Sequence, residues 1–198
     1  KAEMVAEAAQ LKREAGAKAE IATALNKLEA ARARCLVDLE LGPVNAEISN
    51  LRDLITKWEG TVAAKDAAAQ VDRAAGWIAK IVPRMNDVRR AVKEMGPALE
   101  GHRFAEAYAL LKKVEAPQDP PEVQQELAAA TQKLMERERA YQQKACADAR
   151  GQAGQLKFDA ALAGLDEAAA NLVSPMLQQA VRNQRALLVE ERQESELQ

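Results

Sequence analysis

Gly101-His102-Arg103-Phe104-Ala105-Glu106-Ala107-Tyr108-Ala109-Leu110-Leu111-Lys112-Lys113-Val114 sets a glycine three residues ahead of a large apolar side chain. It then spaces Phe104, Ala107, Leu111 and Val114 by three, four and three. Those offsets mark one face of an α-helix, and the glycine ahead of them marks the turn leading in. The spacing recurs as Gly154, Phe158, Ala161, Leu165, Ala168 and as Gly16, Ile21, Ala24, Leu28, Ala31. A recurring helix entry predicts an all-α chain: an elongated array or bundle of about seven antiparallel helices, paired as hairpins and without strands. Each hairpin would bury its apolar stripe on a neighbour.

Composition agrees. The chain has 198 residues, 48% of them hydrophobic, 29% charged and only 3% aromatic. Good helix formers dominate, and the aromatic and β-branched residues that favour strands are scarce. A chain rich in alanine and poor in aromatic residues points to narrow contacts between closely approaching helices.

Reading outward gives the elements. Met4, Ala8 and Leu11 start a first helix, interrupted or kinked near Gly16, and a second runs from about Ala19 to Leu41. Gly42-Pro43 stops that helix and opens the next, in which Val44, Ile48, Leu51, Ile55, Trp58 and Val62 face one way. Val71, Ala74, Ile78, Ile81, Met85, Val88, Val92 and Met95 step 3-4-3-4-3-4-3. The phase holds across Pro83, which predicts one long helix bent at the proline, with two helices, the second opening at Pro83, as the alternative. Gly96-Pro97 ends it. Asp119 is the expected N-cap of a long helix reaching about Arg150, with Glu122 completing a capping box. Its inward face is Val123, Leu127, Ala130, Leu134, Tyr141 and Ala145, and Gly151 and Gly154 break it. Ser174-Pro175 opens the last helix, with Leu177, Val181, Leu187 and Leu188 inward. By this reading residues 1–65 form an N-terminal hairpin region, and residues 66–198 alternate long and short helices.

The segments Gly101 to Val114 and Gly154 to Ala168, with Pro120 and Pro175 after them, resemble the second helix of a tetratricopeptide repeat and its closing proline. The interval between the two copies, 54 residues from Phe104 to Phe158, differs from the 34 of that family. The resemblance implies a helical-hairpin array that presents protein-binding surfaces. It transfers no binding residue.

The sequence offers no catalytic, cofactor-binding or metal-binding residue, and the expectation is a protein that is not an enzyme and holds no cofactor. His102 is the sole histidine, in a turn, with no cysteine pair near it for zinc. Cys35 and Cys146 show no CxxC spacing and read as two packed thiols, with a single disulfide between them as the alternative. No phosphate-binding loop, dinucleotide fingerprint or nucleophile elbow is present. Glu136-Arg137-Glu138-Arg139 reads as a solvated face. Lys80, Arg84, Arg89, Arg90 and Lys93 make a basic stretch, but Asp87 and Glu94 interrupt it, no aromatics interleave with it, and the net charge is −2. Nucleic acid is therefore not expected, nor a membrane span, since no apolar run approaches about 20 residues. Trp58, in phase, reads as core; Trp77, one position off the seam, as a flank.

The function expected is a non-catalytic scaffold, spacer or protein-binding segment of a larger, bacterial protein. Its partners would be another protein or neighbouring domains of the same chain, with a small molecule disfavoured. The N-terminal Lys1-Ala2-Glu3-Met4, without a signal-peptide core, favours a cytoplasmic fragment, with export as part of a larger protein as the other course. The alternatives are a small helical enzyme or ligand-binding bundle, and a helical domain of a secreted or toxin-associated protein.

Overall fold

The computed structural model describes residues 2–197, and among these it is all-α. The helices are α1 (Ala2–Asp38), α2 (Gly42–Lys57), α3 (Val62–Glu94), α4 (Gly96–Glu100), α5 (Phe104–Val114), α6 (Pro121–Ala153), α7 (Phe158–Asn171) and α8 (Pro175–Glu196). They belong to two compact units, residues 1–86 and 87–198, with the division inside α3.

In the first unit α2 packs on α1, and the start of α3 completes the core. Ala17, Ile21, Ala24, Leu28 and Cys35 of α1 meet Val44, Ile48 and Leu51 of α2 and Ala64, Ala67, Val71 and Ala74 of α3. The break expected at Gly16 does not exist: α1 runs through it. The glycine is there for space, because a Cβ at residue 16 would stand 3.1 Å from the tip of the Trp58 ring. Gly60, at φ +84°, turns the chain between α2 and α3, so Val62 begins a new helix and is exposed instead of continuing the α2 seam. The first three turns of α1 stand clear of this core, with Met4 and Leu11 exposed.

Helix α3 is continuous through Pro83, as its unbroken phase predicts, and all eight seam residues from Val71 to Met95 are buried or half-buried. Gly96-Pro97 does not simply end it; the pair opens the one-turn helix α4.

In the second unit α6 takes part in two clusters. Ala130 and Leu134 in its N-terminal half join Phe104, Ala107 and Leu111 of α5 in one cluster. Ala149 and Ala153 in its C-terminal half join Ala161, Leu165 and Ala168 of α7 and Leu177, Val181 and Leu188 of α8 in another. Tyr141, between these halves, packs against both. Two boundaries and one buried position differ from the sequence reading. Pro120, not Asp119, flanks the start of α6; Gly151 lies within α6; and Leu187 points outward while Gln184 takes the buried position.

The α4–α5 and α6–α7 connections are built alike. His102 (φ 55°) and Leu156 (φ 59°) each take the left-handed conformation two residues before the phenylalanine that opens the next helix. The following amide closes back five residues in both, Arg103 N to Ala98 O at 2.8 Å and Lys157 N to Gln152 O at 2.9 Å. This is the wider bond of a Schellman helix end. The third non-glycine residue at positive φ is Leu39 (φ 58°), between α1 and α2. Two residues after it, Leu41, Val44, Ile48 and Leu51 step three, four and three. The structural counterpart of the Phe104 and Phe158 faces is therefore α2. The Gly16–Ala31 copy of the spacing is a buried face in the middle of α1, with no turn ahead of it.

Candidate interaction surface

The residues that looked chemically suggestive are engaged in holding helices together. His102 stacks on Tyr141, ring centroids 4.3 Å apart, and lies 6.3 Å from Phe104. Both cysteines are thiols, Cys35 buried and Cys146 half-buried, and Cys146 Sγ accepts from Gln142 Nε2 at 3.2 Å. Trp58 is half-buried; its Nε1 donates to Glu20 Oε2 at 3.0 Å, and Lys57 Nζ sits 4.9 Å from its ring centroid. The bonds from Lys57 and Trp58 hold the Glu20 carboxyl below the usual range. Trp77 packs against the first core and carries the Arg32 guanidinium over its ring at 4.6 Å. In the basic stretch Arg89 pairs with Glu126 at 3.1 Å and Arg90 with Asp87. Among the described residues no three His, Cys, Asp or Glu side chains converge as a metal site, and no helix is long and apolar enough to cross a membrane.

The feature the sequence reading missed is Glu138. The alternating charges of Glu136, Arg137 and Arg139 place it on a solvated face, yet it is 1% exposed. Its Oε2 accepts from the Tyr108 hydroxyl of α5 at 3.0 Å. Its Oε1 accepts from the amides of Val173 at 2.5 Å and Ser174 at 2.8 Å, in the α7–α8 connection. A buried carboxylate is tolerated when donors surround it, and here three donors come from two other parts of the unit. The signal was available: Leu134 and Tyr141 are seven apart, and Glu138 fills the step of four between them. Gln184 is a second buried polar link, accepting from Arg150 Nε at 2.9 Å and Nη2 at 2.6 Å.

Tyr108 also forms one wall of a groove of about 650 Å³ between α5 and α6. Leu111, Leu127, Ala128 and Met135 supply an apolar floor; Lys112, Glu115, Gln124 and Gln132 edge it. Met135 is 51% exposed there. The corresponding crossing of α7 and α8, 54 residues on, differs. Asp166 stands where α5 has Lys112, and Arg185 where α6 has Thr131. That guanidinium makes two bonds to the carboxylate, 2.7 and 3.2 Å long. The ion pair straps α7 to α8, whereas Lys112 and Thr131 leave the α5–α6 face open.

Compared with known proteins, the chain matches no family model, no curated protein and no solved structure.

Proposed function

We propose that this chain is a non-catalytic, protein-binding helical scaffold built from hairpin units of the tetratricopeptide type, and that its working surface is the α5–α6 groove. The observation that carries the reading is the open, apolar-floored face at a crossing that lacks the ion pair spanning its sister, Arg185 to Asp166. An open trough between two helices, about 17 Å long from Gln124 to Met135, suits three turns of an amphipathic helix from a partner protein. The buried polar groups Glu138 and Gln184 support the same reading, since both are committed to joining helices.

The test is selection from a displayed library of helical peptides against the full chain. Binders should carry apolar anchors spaced i, i+4, i+7 and should lose at least tenfold in affinity on Met135→Glu or Ala128→Glu. Selection that yields no binder, or only binders indifferent to both substitutions, would reject the groove as the working surface.

A further inference from the structure

Tyr108 is shared by two structures: its ring walls the groove, and its hydroxyl donates to the carboxylate that holds the α7–α8 connection. We propose that occupancy of the α5–α6 groove is coupled to the seating of the α7–α8 connection through Tyr108 and Glu138. The inference rests on the groove being a binding surface.

The argument begins with the carboxylate. The Glu138 carboxylate is held by one phenol and two backbone amides. The three donors together fix one position of the carboxylate, so a donor that leaves frees the group to move away from the other two. The phenol is the exchangeable member. Val173 and Ser174 are fixed by the extended backbone entering α8, with Ser174 at φ −66° and ψ 118°. Tyr108 is half-buried on α5 and bordered by the open groove. A group lying on the groove floor covers the ring and restricts it to the rotamer that bonds Glu138. That favours the carboxylate position which also receives the Val173 and Ser174 amides. Coupling of this kind is reciprocal: loosening the connection must weaken binding in the groove by the same factor.

Reciprocity allows a test far from the groove. Ser174→Pro deletes one of the two amides while keeping a φ that proline accepts. Ser174→Ala is its control, because the Ser174 side chain makes no capping bond. The probe is 1-anilinonaphthalene-8-sulfonate, whose apolar rings suit the floor and whose sulfonate suits Lys112. Dye affinity is titrated by fluorescence on the full chain, and amide exchange at Val173 and Ser174 is followed with and without dye. Met135→Glu and Ala128→Glu should abolish the bound signal, placing the dye in the groove. Ser174→Pro should then weaken it at least threefold, with Ser174→Ala unchanged. Dye should slow exchange at Val173 in the native chain at least threefold and leave it unchanged in Tyr108→Phe, a readout that needs no variant at residue 174.

Loss of dye in the groove variants with native affinity in Ser174→Pro, and no change in exchange, would overturn the coupling and leave the groove standing. Dye binding indifferent to the groove variants would overturn both.

Discussion

The hydroxyl of Tyr108 donates to Glu138 Oε2 at 3.0 Å, while the other oxygen of the same carboxylate takes the amides of Val173 and Ser174. One side chain of α6 thereby holds α5 on one side and the α7–α8 connection on the other. Removing it leaves buried donors without an acceptor, and that costs more than the bonds themselves contribute.

Glu138→Ala should therefore destabilise the second unit by about 2–5 kcal/mol, since each buried neutral donor left without an acceptor costs about 1–3 kcal/mol and water reaches some of them. Glu138→Gln keeps one carbonyl oxygen for the two amides and can turn its NH₂ toward the phenol oxygen, so about 1–2 kcal/mol is expected. Urea unfolding of the two variants measures both. A loss under about 1 kcal/mol for the alanine variant would mean water replaces the carboxylate without difficulty.

Tyr108 should titrate late. Burial, then the Glu138 charge, then the bond to it raise its pKa from 10.0 to about 12. The folded state therefore holds the phenol proton more tightly than the unfolded chain. The associated stability is present below pH 10 and is lost as pH rises from 10 through 12. Ultraviolet titration of the phenolate band, with Tyr108→Phe to assign the late step, checks the position. In Glu138→Gln the step should move down but stay above 10, since burial remains.

The longer helices are legible because apolar periodicity survives in them, and the seam from Val71 to Met95 carries α3 across its proline, whereas the one-turn α4 is too short to show any. The sequence misleads where one residue type has two uses. Gly16 reads as a break because glycine is a poor helix former, but its absent Cβ makes room for Trp58. Glu138 reads as surface because glutamate usually is, although its phase on α6 is that of the core. The open groove was not legible at all: it depends on Lys112 and Thr131 standing opposite each other where Asp166 and Arg185 later pair, a relation that exists only between helices.

Two glycines inside helices separate propensity from packing. At Gly76 an added Cβ meets nothing within 4 Å, so Gly76→Ala should stabilise the chain by about 0.5–1 kcal/mol through helix propensity alone. At Gly16 the same gain is opposed by the Trp58 ring 3.1 Å away, which must give by a few tenths of an ångström. Gly16→Ala should consequently gain less than Gly76→Ala or lose stability, with a shift in tryptophan emission that Gly76→Ala does not show. Equal gains at both sites, with emission unchanged, would mean that the ring moves aside freely.

The two matched turns test whether a left-handed residue is there for its backbone or for its side chain. An L-residue at positive φ gives up about 1–2 kcal/mol that glycine does not, and glycine returns part of that gain through its greater unfolded-state entropy. Leu156 is 72% exposed, so its side chain adds little to offset the strain. Leu156→Gly should stabilise by about 0.5–1 kcal/mol. His102 occupies the same backbone geometry but stacks on Tyr141 at 4.3 Å, a contact worth about 0.5–1.5 kcal/mol. His102→Gly exchanges that contact for relief of the same strain, so it should be neutral or destabilising. The difference between the two variants, read from their unfolding midpoints in urea, measures the stacking. Equal stabilisation by both would show that the imidazole contributes nothing to the turn, and would remove His102 from the set of residues that hold α5 against α6.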